Sequence, residues 1–120
     1  MKLTNDEIFK AQDPLGVLLK ERLPVKVSYG LAKMAKKLND QYEVIEQVRT
    51  GLIYTYGEPD PTDSRHTMVT PQCKDFEKFQ SEFKELMDQE VELVIDKVTL
   101  PETLEIEPSV LMALEKFVKL

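Results

Sequence analysis

Apolar residues recur along the middle of the chain at steps of three and four. From Val27 they fall at Leu31, Met34, Ala35, Leu38, Tyr42, Ile45, Val48, Leu52 and Tyr56, the period of one face of an α-helix. Leu31, Leu38, Ile45 and Leu52 are seven apart throughout, a seam of coiled-coil type. The spacing predicts one long helix over 24–57. Gly57 stands where a left-handed C-terminal cap is wanted, and Pro59 and Pro61 forbid continuation. Gly30 and Gly51 weaken the two ends by about 1 kcal/mol each relative to Ala, so Ser28 is an alternative start. At 1.5 Å per residue the helix would be ~50 Å long, against a radius of gyration of ~14 Å for a compact domain of this length.

The flanking patterns are shorter. Thr4 and Glu7 form the signature of a capping box, which predicts a first helix from about Asn5 to Ala11. Asp13 and Pro14 then restart the pattern as cap and first helical position, with Leu15, Leu18, Leu19 and Leu23 on one face. Residues 58–66 carry two prolines and no large apolar residue, and read as an exposed loop; residues 67–70 are a candidate strand. A second helix is predicted over 71–89, with Phe76, Phe79, Phe83, Leu86 and Met87 on one stripe. Its loop-linked neighbour is the long helix, so an antiparallel hairpin is the economical arrangement. After Gln89 the period becomes two: residues 91, 93 and 95 share one face, and Glu90, Glu92 and Asp96 the other. Residues 98–100 and 104–106 are further strand candidates, and a terminal helix is predicted over 108–119, with Pro108 in its first turn. The expected architecture is a single domain over 1–120 of mainly α (α+β) class. It comprises short N-terminal helices in 1–23, a long antiparallel helical hairpin, a small β element and a C-terminal helix.

Composition narrows the function classes. An apolar fraction of 42% in 120 residues suffices for one core, and a net charge of −6 argues against general binding to nucleic acid or anionic membrane. The charge is uneven. Residues 1–57 carry 9 basic and 7 acidic side chains, net +2, whereas residues 58–120 carry 7 and 15, net −8. An acidic second half aids solubility; it could also attract the first half, within a chain or between chains. The start Met1-Lys2-Leu3-Thr4-Asn5-Asp6-Glu7 turns acidic where a signal peptide would turn apolar. The longest uncharged apolar run falls far short of the ~18 residues of a membrane span. One cysteine, Cys73, makes no internal disulfide.

Catalytic signals are weak. His66 lies in the proline-flanked loop beside Asp63 and Ser64, where fixed mutual geometry is rare, and reads as an exposed loop residue. Cys73 reads as a small buried or half-buried thiol. Together with Asp60 and Asp63, these two residues match no zinc spacing. Glu90, Glu92 and Asp96 could in principle meet magnesium, but alternating acids are also the solvent face of a half-covered strand. Glu82-Phe83-Lys84 lies in a helical stretch, so the strand-borne acid pattern of metal-dependent nucleases is not met. The glycines stand singly at 16, 30, 51 and 57 and build no phosphate loop. Lys26, Lys33 and Lys37, with Arg22 upstream, form a basic helical stripe. Without interleaved aromatics it reads as a solvated face that could pair with the acidic half.

Leu23-Pro24-Val25-Lys26 before a long helix, its end at Tyr56-Gly57, Glu90-Val91-Glu92-Leu93 after a second helix, and the closing Glu107-Pro108-Ser109-Val110-Leu111-Met112-Ala113-Leu114 together resemble a family of small tailed-phage and prophage proteins. The resemblance covers nearly the whole chain, although its motifs are structural punctuation. The family has no assigned activity, so the resemblance implies no catalytic or binding residue. It implies a phage setting, in the bacterial host cytoplasm or the virion. The expected function is therefore non-enzymatic, without cofactor or metal: a minor virion component or assembly factor acting through protein–protein contacts. The expected partner is a second copy or another phage or host protein, not nucleic acid or membrane, and Leu31, Leu38, Ile45 and Leu52 are the candidate interaction residues. The alternative is a soluble acidic inhibitor of a host protein, of anti-defence or nucleic-acid-mimic type.

Overall fold

A computed structural model describes residues 1–63 and 65–119; Ser64, named above beside His66, lies outside the described residues. The chain opens with strand β1 (Lys2–Thr4) and helix α1 (Asn5–Leu19), followed by the long helix α2 (Val25–Tyr56). A two-residue pair, β2 (Glu58–Pro59) and β3 (Thr67–Met68), leads to α3 (Phe76–Asp88). Then come β4 (Glu90–Glu92), β5 (Val98–Thr99), α4 (Pro108–Ala113) and β6 (Val118–Lys119). The class is mainly α with small β elements, as the periodicities predict.

The capping box is formed: the Glu7 amide donates to Thr4 Oγ1 at 3.1 Å, and the Thr4 amide donates to Glu7 Oε1 at 3.2 Å. The predicted break near Asp13 is absent, and α1 continues through Pro14. A proline inside a helix removes one backbone bond and crowds the preceding turn. Here Ile8, Ala11, Leu15 and Leu18, all buried on one stripe, hold the two halves in a single helix. Leu19, expected on the same face, is exposed.

Helix α2 spans 32 residues, or ~48 Å, nearly the longest dimension of a molecule measuring 52 × 31 × 21 Å. The radius of gyration of 17.6 Å accordingly exceeds the ~14 Å of a compact chain of this size. Helix α1 runs antiparallel to the first two thirds of α2: Phe9 and Tyr42 have ring centroids 5.7 Å apart, and Gln12 to Leu19 lie opposite Asn39 to Ala32. Helix α3 runs antiparallel to the remaining part, with Glu82 beside Tyr56 and Leu86 joined towards Gln41 through Asn5. The hairpin is thus part of a three-helix arrangement in which α1 covers the length that α3 cannot reach.

Asn5 ties the three helices together. It is buried, its Nδ2 donates to the Leu86 carbonyl at 2.8 Å, its Oδ1 accepts from Gln41 Nε2 at 3.2 Å, and its amide donates to the Gln89 carbonyl at 2.9 Å. The Leu86 carbonyl, which also accepts from the Gln89 amide at 3.3 Å, and the Gln89 carbonyl are thereby tied to α1.

Several boundaries differ from expectation. Gly57 does not adopt a left-handed cap; its φ of −83° and ψ of 175° are extended, because the chain passes straight into β2. Glycine is needed there for space, since a Cβ would stand 2.4 Å from the Ile53 carbonyl oxygen and 2.8 Å from that of Met68. The second helix begins at Phe76 rather than residue 71: turn bonds from Cys73 to Thr70 and from Phe76 to Cys73 occupy the intervening backbone. The terminal helix stops at Ala113 because residues 118–119 pair in parallel with β5, Val98 opposite Val118 and Thr99 opposite Lys119. Residues 104–106 form no strand; Leu104 and Ile106 pack on the core while the backbone finds no ladder. Strand β1, unanticipated, pairs antiparallel with β4, Leu3 opposite Val91. The alternation of 91, 93 and 95 inward with Glu90, Glu92 and Asp96 outward is present.

Candidate functional site

The heptad seam is interior. Leu31, Leu38 and Ile45 have no exposed surface, so these three candidate interaction residues are corrected to core residues of a single chain, whereas Leu52 is half-buried and lies outside that core. Helices α1 and α3, with the tail residues Leu114 and Phe117, supply the apolar cover that a second copy would otherwise have to provide.

The basic stripe flanks the apolar face of α2, and the segment from Val94 to Thr99 lies alongside it. Between them is a half-open groove of about 470 Å³. Its floor is aliphatic: Val27, Met34, Ile95 and Val98. Gly30 permits the close approach of the two walls, since a Cβ there would sit 3.2 Å from Val98 Cγ2. The rim is basic, with Lys26, Lys33 and Lys37 from α2 and Lys97 from the other wall; Asp96 also lines it. Lys37 Nζ donates to the Val94 carbonyl and so clasps the walls. Lys33 Nζ lies 5.0 Å from the Tyr29 ring centroid, a cation–π distance, and Lys97 Nζ donates to the Glu115 carbonyl at 3.4 Å.

The strand-side wall has a further property. Leu93 is bonded to Met1 and Val98 to Phe117, but among the described residues the amides of Val94, Ile95, Asp96 and Lys97 find no protein acceptor. Val94 is 80% exposed. In an extended chain successive amides point to opposite edges, so two of these donors share an edge that can receive the carbonyls of a second extended segment, with the lysines beside it for its acidic side chains.

The other sequence candidates are not assembled into a site. His66 Nε2 is 3.5 Å from Asp63 Oδ2 on an exposed turn. Arg65, bonded to Asp63, holds that carboxyl below the usual range, and the amide and hydroxyl of Thr62 do the same for Asp60; these bonds brace the turn. Cys73 is buried, as expected, and receives the Thr70 amide at 3.3 Å. Glu92 meets the amino group of Met1 at 3.2 Å. Among the described residues no group of three His, Cys, Asp or Glu side chains is placed to hold a metal, and no helix is long and apolar enough to cross a membrane.

The sequence carried half of the groove, as lysines at helical spacing beside the apolar face. The other half, Val94 to Thr99, is more than fifty residues away, and its placement follows from β4 pairing with β1 and β5 with β6. Comparison of the chain with protein-family models, with curated proteins and with solved structures finds no match.

Proposed function

We propose that this chain is a non-enzymatic protein that works through protein–protein contacts, with the lysine-rimmed groove between α2 and Val94–Thr99 as its contact surface. The observation that carries the reading is the combination of a half-open groove with an aliphatic floor and a rim of four lysines, and a wall, Val94–Lys97, whose amides find no acceptor among the described residues. Such a groove suits an extended acidic segment, whose backbone adds to the free edge while its carboxylates meet the rim. The phage setting, as a minor virion component or assembly factor, is proposed from the sequence resemblance, and with it the bacterial host cytoplasm or the virion as location.

Titration of isotope-labelled protein with a synthetic peptide of alternating Glu and Leu tests the groove. Amide shifts should be confined to residues 26–37 and 94–99 and should fade as salt rises; unperturbed spectra at millimolar peptide would overturn the assignment. A second reading, an acidic inhibitor of a basic host surface, is favoured by Glu85, Asp88 and Glu90 sharing one depression at the end of α3. A Lys-rich peptide that shifted residues 81–90 instead would support it.

A further inference from the structure

We propose that the occupant of the groove is the segment Leu104–Glu107 of a second copy of this chain. The inference rests on the groove being a contact surface and names its partner. Residues 104–107 join no ladder, and their acidic and apolar side chains alternate, while the Glu107 carbonyl is taken by the Val110 amide at 3.0 Å, so the segment docks chiefly through its carboxylates. Leu104 and Ile106 are half-buried against their own core, whereas Glu105 and Glu107 project into solvent. In an extended chain, side chains two positions apart on one face are separated by about 6.6 Å. Lys33 and Lys37, one helical turn apart on the rim, are separated by about 6 Å along α2. Two carboxylates therefore match Lys33 and Lys37 in register, the Lys37 ammonium being shared with the Val94 carbonyl, with Lys26 and Lys97 at either side and Glu102 just upstream of the docking segment. Asp96 is the acid on the groove's own side and faces the same space.

The contact cannot be made within one chain, because Glu105, Ile106 and Glu107 are fixed beside Val17, Glu21 and Val110 and line none of the groove. The charge division of the sequence, net +2 in residues 1–57 and net −8 in 58–120, matches this arrangement: a basic patch of one copy faces an acidic patch of the next. Because the two patches are different surfaces, the copies join head to tail, closing into a ring where the rotation permits and extending where it does not.

The test is light scattering on the full chain over a range of protein concentrations at low and high salt, with two charge-reversal variants at exposed positions. The variants are Lys26→Glu/Lys33→Glu and Glu105→Lys/Glu107→Lys. Wild-type mass should rise with concentration and fall with salt, and each variant alone should associate at least about tenfold more weakly. An equimolar mixture of the two variants should recover association, since every groove then finds a segment of opposite charge. Circular dichroism confirms that both variants are folded. A wild-type chain that stays monomeric at millimolar concentration, or association indifferent to both reversals, overturns the proposal. If the Glu/Leu peptide still shifts the groove residues in that case, the groove stands as a contact surface and only the identity of its occupant fails.

Discussion

Between Leu31 and Ile45 helix α2 buries four side chains, and between Glu46 and Tyr56 it buries none, although the apolar repeat runs through both stretches without interruption. The first stretch has α1 along it, the end of α3 locked on by Asn5, and the tail residues around Leu114. The second has α3 and the β2–β3 pair, and leaves Val48 and Tyr54 exposed. Periodicity sets which side of a helix turns inward; the number of neighbouring elements sets how completely that side leaves water. The groove belongs to the densely packed end, where a rigid helix can hold its lysines at fixed spacing.

The difference predicts unequal responses to the same truncation. Leu38→Ala should cost about 2–5 kcal/mol, the range for a fully buried leucine whose site cannot collapse. Leu52→Ala, starting from a half-buried side chain, should cost about 1–2 kcal/mol. Urea unfolding of both variants measures this, and equal losses would mean that the two ends of α2 are packed alike. Next in size is Asn5→Ala, which removes the acceptor of the Gln41 amide and leaves the Leu86 carbonyl only the Gln89 amide. It should cost about 1–3 kcal/mol, and amide exchange should show α3 loosening more than α1.

The smallest expected effect lies at the clasp between α1 and the tail. Lys116, bonded to the Glu7 carboxylate, holds it below its ordinary value of 4.5, assisted by Thr4. A carboxyl whose folded value is depressed stabilises the fold above that ordinary value, and the contribution is lost as pH falls through the lower folded value. Glu7 is partly exposed, so the contribution is below about 1 kcal/mol. Thermal unfolding of wild type and Glu7→Gln should therefore differ at pH 7 and converge as pH falls below the ordinary value of 4.5 and on through the lower folded one.

Much of this molecule was legible in residue order because the relevant forces are local. The Thr4–Glu7 cap, the single long helix ending at Tyr56, the inward face of Leu31, Leu38 and Ile45, and the alternation after Gln89 all follow from backbone period and side-chain type. Other features required distant partners. Pro14 stays inside α1 because buried neighbours on either side outweigh its missing bond. Gly57 is extended because the chain turns at once into a hairpin, and the terminal helix yields after Ala113 because β5 offers its last residues a ladder. Lys26, Lys33 and Lys37 announced a charged face, but a charged helix face becomes a groove only when something lies beside it. Val94 to Thr99 was brought there by two strand pairings that join the chain's beginning and end. Hydrophobic period is a property of neighbours in sequence, whereas burial depth, strand pairing and the meeting of a basic rim with free backbone donors are properties of neighbours in space.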